Sequence, residues 1–175
     1  MLPFSLDNFK MGYFIQYRGG TGKFGRNIVN KQLKEGFSKE DAQYSHTEVS
    51  GGGKHSINTS PPLSTLVDIT QKHKGRYIRI VRFKNAIYEK KGRYKVAYFS
   101  ATLNNTGYDI KGVLGFAFKW IKHDNRLYFC SEGCAWALQK EFSDAGEGRA
   151  PEKWMPAHFS PGKEFELIWE GYIPK

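Results

Sequence analysis

The sequence predicts an α+β domain in which an antiparallel sheet packs against helices, and three kinds of pattern indicate it. Segments rich in β-branched and aromatic residues, which are typical of strands, occur at residues 13–18, 76–83 and 165–173. Two further strand-like segments, 44–50 and 54–58, flank a triple glycine and predict a hairpin. Between and after these strands, apolar residues recur at the three- and four-residue spacing of amphipathic helices.

Length and composition predict a single folded domain. The 175 residues are 39% hydrophobic and 15% aromatic, which excludes general disorder. We treat residues 1–175 as one domain with an irregular arm at residues 1–11. No apolar run reaches the length of a transmembrane helix, and the first residues lack the basic and apolar regions of a secretory signal. Two cysteines without such a signal indicate a reducing compartment such as the cytoplasm, or release without a signal peptide.

Three helices are predicted before the cysteine-containing segment. Gly36 ends the first, Gly92 weakens the second, and Asp109 caps the third. The apolar residues of their predicted stripes are Phe24, Ile28 and Leu33 in the first, Ile87, Tyr94 and Tyr98 with Val96 as a further candidate in the second, and Ile110, Val113, Leu114 and Ala117 in the third. A closing strand follows at residues 165–173.

Residues 127–138 combine the end of an apolar strand with the start of a helix, and Cys130 lies at the junction. Cys130 or Ser131 occupies the predicted N-cap, and Glu132 suits the positive end of the helix dipole. Backbone N–H groups in a first helical turn lack an intrahelical acceptor, so they can stabilise a thiolate or an oxyanion. The position predicts a cysteine nucleophile, although most cysteines are small buried hydrophobic residues.

Cys134 fits the description of a small buried hydrophobic residue. It shares the apolar stripe of the same helix with Leu138 and Phe142. We therefore expect Cys134 to be buried and inert, and Cys130 to be accessible with a low pKa. A zinc site is not expected, since nothing nearby supplies a second ligand pair, and neither is a disulfide between two residues of one helix face.

The predicted hairpin places a histidine beside an amide. With Ser50 opposite Lys54, the side chains on one side of the sheet form two opposed pairs, His46 with Asn58 and Glu48 with Ser56. A cysteine, a histidine and an amide or carboxyl group make the triad of papain-type enzymes. The other interpretation is a polar, water-facing side of the hairpin with an ordinary surface histidine.

Positive charge is concentrated in one segment. The net charge is +10, and residues 72–95 contain ten basic residues and a single acidic one, Glu89. Such a cluster can bind the phosphates of nucleic acid or another polyanion, or it can be a solvated face whose long side chains cover apolar surface. The candidate polyanion-binding residues are Lys72, Lys74, Arg76, Arg79 and Arg82.

Four short motifs occur in a recognisable order: Tyr-Ser-His-Thr-Glu-Val at 44–49, Tyr-Asp-Ile-Lys-Gly-Val at 108–113, Phe-Cys-Ser-Glu at 129–132, and Phe-Ser-Pro-Gly at 159–162. Together they resemble the circularly permuted NlpC/P60 group of papain-like proteins, over roughly residues 13–165. This group includes lecithin:retinol acyltransferase-like enzymes, bacterial YiiX-like proteins and phage-encoded proteins. In the ordinary papain order the cysteine precedes the histidine, whereas His46 precedes Cys130 here, as in the permuted group.

The resemblance implies a papain-like fold with Cys130 as nucleophile, His46 as its base and Asn58 as the residue that orients His46. The third position departs from the family, where a carboxylate or a second histidine is usual. The alternatives for it are Glu48, Ser56 and His55. The implied activity is a thiol hydrolase or acyltransferase that acts on an amide or ester, such as a cell-wall peptide or a lipid, with no metal or organic cofactor.

Two other classes of function stay open. One is a catalytically silent phage or structural protein with the same fold, located in the cytoplasm or in a phage particle. The other is a module that binds nucleic acid or another polyanion through residues 72–95. A thiol reagent near neutral pH separates the first from an enzyme, and a steep loss of binding with salt would favour the second.

Overall fold

Six strands form one antiparallel sheet in the residues that this computed structural model describes, which are 3–19, 22–111 and 127–175. In chain order they are β1 (Phe14–Arg18), β2 (Tyr44–Gly52), β3 (His55–Thr59), β4 (Ser64–Asp68), β5 (Tyr77–Phe83) and β6 (Phe165–Tyr172). Across the sheet the order is β4-β3-β2-β1-β5-β6, and all neighbouring strands are antiparallel. The predicted α+β class with an antiparallel sheet is confirmed.

Five α-helices have both ends in the described residues: α1 (Lys23–Lys34), α2 (Lys39–Ala42), α3 (Ile69–Lys72), α4 (Arg93–Thr102) and α5 (Cys130–Gln139). A π-helical turn, Tyr88–Gly92, leads into α4. Helices α4 and α5 pack against each other, and both contact β2. The helix predicted after Asp109 lies largely outside the described residues, which do not include Val113, Leu114 and Ala117.

β1 is a central strand because its sequence allows both faces to be buried. Phe14, Ile15, Gln16 and Tyr17 are all buried, although neighbouring side chains of a strand point to opposite faces. β4 is the contrasting case, since it lies at the edge of the sheet and Leu66 is exposed. β4 is not predictable from the sequence, because its five residues come shortly after a proline pair and lack a clear apolar alternation.

The predicted stripe of α1 is only partly correct. The helix forms and Ile28 is buried, but Phe24 and Leu33 are exposed. Gln32 is the second buried contact of α1, and its side-chain amide donates to the carbonyl oxygens of Ala42 and Tyr44. A polar side chain thus takes the place in the interface that the pattern assigned to Leu33.

Of the stripe predicted before and within α4, Ile87, Tyr94 and Tyr98 are exposed, and only the further candidate Val96 is buried. The buried residues of α4 are Val96, Ala97 and Ser100. The π-helical turn accommodates an extra residue, so the regular helical spacing assumed across it does not hold. Gly92 closes this turn against the ring of Phe142, where an added Cβ would collide with the ring.

The arm predicted to be irregular is packed onto the domain in its described part. A 3-10 turn at Leu6–Asn8 precedes Phe9, which is buried. The Phe4 ring contacts both Phe9 and Trp169, with ring centroids 5.6 Å and 5.7 Å apart. Aromatic contacts therefore hold this segment against the sheet.

The β2–β3 hairpin forms with a register two residues away from the predicted one. Ser50 pairs with Ser56, not with Lys54, and a bulge separates this pair from the pair of Gly52 with His55. Gly52 and Gly53 have positive φ angles of 97° and 57°, which glycine adopts readily, so the turn closes nearer to β3 than assumed. A shift of two residues keeps every side chain on its predicted face.

Candidate functional site

Helix α5 begins at Cys130, directly after its N-cap Phe129. The Glu132 carboxylate accepts a hydrogen bond from the Phe129 N–H at 3.2 Å, and the Ser131 hydroxyl donates to the Trp154 carbonyl oxygen at 2.8 Å. The predicted N-cap, Cys130 or Ser131, is therefore wrong. The first turn is held by the Glu132 carboxyl group, whose pKa burial raises to about 8 and which reaches back to the N-cap residue, and no capping hydroxyl is involved.

The Cys130 side chain is buried, with 2% of its surface exposed, so the prediction of an accessible thiol is wrong. Tyr108 lies close by: burial raises the pKa of its hydroxyl, and the charge of a Cys130 thiolate raises it further. Burial favours the neutral form of Cys130, but the charge and the hydrogen bond of His46 outweigh it. Backbone N–H groups of Thr47 and Ser131 act in the same direction, so the pKa of the thiol lies below its ordinary value.

His46 lies on β2, close enough to Cys130 for each of the two groups to shift the pKa of the other. Its Nε2 is 3.0 Å from Glu48 Oε1 and 3.1 Å from Asn58 Oδ1. Because both partners are acceptors, Nε2 carries the proton of the neutral ring and Nδ1 is left for the thiol. Burial alone would lower the pKa of His46, but Cys130 and Glu48 raise it to about 10. The opposite shifts of the two groups favour a thiolate–imidazolium pair near neutral pH.

Glu48 is fully buried, and each of its carboxylate oxygens has two partners. His46 and His73 approach Oε1 with their Nε2 atoms at 3.0 Å and 2.9 Å. Oε2 accepts hydrogen bonds from the Tyr17 hydroxyl at 2.9 Å and from the Ser56 hydroxyl. Burial acts to raise the pKa of this carboxyl group, but the two histidines outweigh burial and hold it well below its usual range. Glu48 is therefore ionised and strengthens the positive charge on His46.

Two residues contact His46 in the manner required of a third triad member, the predicted Asn58 and its alternative Glu48. Asn58 is 2% exposed and Glu48 is 0% exposed, so the hairpin side is buried and the water-facing interpretation is wrong. The Ser56 hydroxyl donates to Glu48 and is therefore one hydrogen bond further away from the His46 ring. His55 is exposed at the start of β3 and has no hydrogen bond to His46 among the described contacts. The ring thus has a neutral and a charged acceptor on the same nitrogen.

The sequence did not single out two residues of this site, Tyr17 and His73. The β1–β2 register places Tyr17 opposite His46, so an argument from strand alternation could have found it. His73 is the C-cap of α3, a helix of four residues, and its backbone N–H donates to the Ile69 carbonyl oxygen. No sequence pattern connects it with Glu48, because only the fold of the sheet brings α3 to this carboxylate.

Cys134 lies one turn further along α5 and is buried, as predicted. Its Sγ is 3.5 Å from the Thr47 carbonyl oxygen, which can only accept a hydrogen bond. Burial raises the pKa of this thiol well above its ordinary value, and the charges of Cys130 and Glu48 raise it further. Cys134 is thus held as a neutral thiol.

Two arginines of the basic segment are engaged inside the protein. Arg79 is buried, lies 3.0 Å from Asp41 and donates to Gln16 Oε1 at 2.6 Å. Arg82 is half-buried and lies 3.3 Å from Glu89. The assignment of Arg79 to a polyanion-binding surface is therefore wrong, because its guanidinium group is already paired with Asp41 and Gln16.

The other candidates of that segment differ among themselves. Lys72 and Lys74 are exposed, whereas Arg76 is half-buried and donates to the Arg18 carbonyl oxygen at 3.0 Å. What remains on the surface at this end of the segment is a pair of lysines, which is the ordinary composition of a solvated face.

Within the described ranges, no helix is long and apolar enough to cross a membrane. The same residues contain no group of three or more His, Cys, Asp or Glu side chains arranged to hold a metal ion. No protein-family model, no curated protein and no solved structure matches the chain. The residues of the site therefore carry the functional argument.

Proposed function

We propose that this chain is a thiol hydrolase or acyltransferase with a papain-like fold of the circularly permuted NlpC/P60 type, acting on an amide or ester. The observation that carries the proposal is the arrangement of Cys130, His46 and Asn58 with Glu48. A cysteine in the first turn of a helix and a histidine shift each other's pKa in opposite directions, and the Nε2 atom of that histidine is held by an amide oxygen and a carboxylate.

The order and position of the residues support the permuted family. His46 comes from a central part of the sheet and precedes Cys130 in the chain. The strand that follows the histidine supplies Asn58, the position from which the family takes its third residue. Buried acceptors on Nε2 are what a histidine needs to keep Nδ1 towards a thiol.

In the first half of the reaction, the Cys130 thiolate attacks the carbonyl carbon and forms a C–S bond. The negative charge moves to the carbonyl oxygen, which the backbone N–H of Cys130 in the first turn of α5 is placed to stabilise. His46 then gives its proton to the departing amine or alcohol. The carbon–leaving-group bond breaks, and the acyl group stays on sulfur as a thioester.

In the second half, neutral His46 takes a proton from water or from another nucleophile. That nucleophile attacks the thioester carbonyl carbon, and the Cys130–acyl bond breaks. The thiolate and the imidazolium are regenerated together, so no redox change or external base is needed. Asn58 and Glu48 stay bonded to Nε2 throughout and hold the ring in position.

The test is to trap the acyl-enzyme. The protein is mixed with a p-nitrophenyl ester of a short fatty acid, quenched in acid and digested for mass spectrometry. We expect one acyl group on the peptide that contains both cysteines, present in the matched variant Cys134→Ala and absent in Cys130→Ala. Acylation that persists in Cys130→Ala, or none in the folded wild type, would contradict the proposal.

The catalytically silent alternative makes a different prediction for the same samples. A silent site has no need of a low-pKa thiol, so iodoacetamide would modify Cys130 no faster at pH 7 than Cys134. Our proposal requires Cys130 to react first, since only its environment favours the thiolate.

A further inference from the structure

Glu48 Oε1 is shared between two histidines. The Nε2 atom of His46 lies 3.0 Å from it, and the Nε2 atom of His73 lies 2.9 Å from it. The papain-type roles use only the first of these contacts. A second buried imidazole on the same oxygen has no part in the reaction described above, and its position calls for a physical explanation.

All the acceptor capacity of Glu48 is in use. A carboxylate offers about four lone-pair positions, and four donors from His46, His73, Tyr17 and Ser56 approach its two oxygens. A neutral carboxyl group would add a donor with nowhere to donate. Both histidines must therefore present Nε2–H to Oε1, which fixes their tautomers and makes them compete for one oxygen.

His73 is held rigidly in this position. It caps α3, whose first turn is fixed by the Asp68 side chain accepting from the Thr70 N–H at 2.9 Å. Its ring packs on the ring of Tyr17 with centroids 4.1 Å apart and an interplanar angle of 38°. With 8% of its surface exposed, the side chain has little room to move away from Glu48.

We propose that His73 is a positioning residue of the Cys130–His46 site: it donates to the same oxygen as His46, fixes the Glu48 carboxylate and shares its charge. The inference rests on the proposed function. Charge that Oε1 gives to His73 is not available to His46, so His73 limits how strongly the site retains the His46 proton. A general acid works best when it can release that proton near the operating pH.

The surrounding ionisable groups are few and come from each neighbouring element. Among the described residues, and besides Glu48 and the two histidines, they are Tyr17 of β1, Arg76 before β5, Tyr108, and Cys130 and Cys134 of α5. Burial, followed by the charge of Glu48, raises the pKa of Tyr17 well above its ordinary value. The coupled pair whose protonation the alkylation experiment follows is therefore His46 and Cys130.

The experiment follows the rate of Cys130 alkylation by iodoacetamide from pH 4 to 11 in the Cys134→Ala background. The variants are His73→Leu, which removes the donor, and His73→Gln, which keeps a neutral N–H donor. His55→Leu is the matched control, because His55 is exposed on the same hairpin. Circular dichroism checks folding, and His73→Met replaces His73→Leu if the latter does not fold.

We expect the step assigned to His46 deprotonation to move up by roughly 0.5–1 pH unit in the donor-free variant. This is less than the roughly 1–2 units of one hydrogen bond to a charged group, because His46 senses the loss only through Glu48. His73→Gln should restore most of the wild-type profile, and His55→Leu should match it. With an ester substrate, kcat should fall by about three- to tenfold with little change in KM, because the substrate does not contact His73.

The failures are distinguishable. If wild-type Cys130 shows only an ordinary thiol titration, the proposed function fails. If the wild type shows the thiolate and the donor-free variant has the same profile, only the role of His73 fails. Independently of any variant, long-range ¹H–¹⁵N spectra of the wild type should show Nε2 protonated in both histidines. A His73 ring protonated only at Nδ1 overturns the inference.

Discussion

The two cysteines of α5 lie one helical turn apart and are almost equally buried, yet their thiols are shifted in opposite directions. Cys130 is 2% exposed and Cys134 is 4% exposed. Burial acts to raise the pKa of both, and in Cys134 no interaction with a described residue opposes it. In Cys130 the charge of His46, its hydrogen bond and two backbone N–H groups reverse the effect. The polarity of the immediate neighbours therefore decides the reactivity of each sulfur.

Thr47 of β2 contributes to the different environments of the two thiols through its two backbone groups. Its backbone N–H favours the thiolate of Cys130, whereas its carbonyl oxygen is the hydrogen-bond partner of the Cys134 thiol. A donor stabilises a negative sulfur, and an acceptor stabilises S–H. The position in α5 adds to this contrast, because only the first turn has N–H groups without an intrahelical acceptor.

The largest expected effect comes from removing each thiol by substitution with alanine. Cys130→Ala should abolish ester or amide turnover, since no acyl-enzyme forms without the sulfur. Cys134→Ala should keep most of the activity and lose on the order of 1 kcal/mol of stability through the small cavity it leaves. Turnover and urea unfolding of both variants measure this. Full activity in Cys130→Ala would remove the enzyme interpretation altogether.

Removing His46 should make the two sulfurs alike. His46→Ala should lower kcat/KM by about 10²–10⁴-fold, because the base and the counter-ion of the thiolate disappear together. The pKa of Cys130 should then rise, so the alkylation rate at pH 7 should fall towards that of Cys134. The thiolate would form only as the pH rises through this higher pKa. The Cys130→Ala, His46→Ala double variant should be hardly worse than either single one, as for residues that act as a unit.

Much of the difference between Cys130 and Cys134 was predictable from the sequence, because it depends on local patterns. The strand-to-helix junction placed Cys130 in a first turn, and the four-residue spacing placed Cys134 on the buried stripe. Strand alternation put His46, Glu48 and Asn58 on one face. That result survived a register error, since a shift of two residues preserves the face.

The wrong or missing predictions concern contacts between residues that are far apart in the sequence. The burial of Cys130 has no local signal, and Tyr108, whose pKa a Cys130 thiolate raises, comes from a different part of the chain. His73 reaches Glu48 only because the sheet brings α3 beside β2. Arg79 looks like a surface cation in the sequence, but it lies on a buried strand with Asp41 as its partner. Such contacts have no signal in local spacing or composition.

A smaller change is expected when the charge of Glu48 is removed while its shape is kept. Glu48→Gln should lower the pKa of His46, because the imidazolium loses its buried counter-ion, and kcat/KM should fall by about 10–100-fold. The amide also brings two donors into a site that supplies only donors, so the variant should be less stable than the wild type. The pH profile of Cys130 alkylation and thermal unfolding measure both effects. An unchanged profile would mean that Asn58 alone orients the ring.

The smallest effect should come from Asn58→Ala. This variant tests how much of the difference between Cys130 and Cys134 depends on the amide oxygen of Asn58. Asn58 Oδ1 and Glu48 Oε1 lie at nearly the same distance from Nε2, 3.1 Å and 3.0 Å, but only Glu48 brings charge. Losing the amide should cost about three- to tenfold in kcat, because the ring keeps its charged partner and hence its tautomer. The alkylation midpoint of Cys130 should move by less than in Glu48→Gln. If Asn58→Ala proves the more damaging of the two, the amide is the principal orienting residue, and the carboxylate mainly holds the three strands and α3 together.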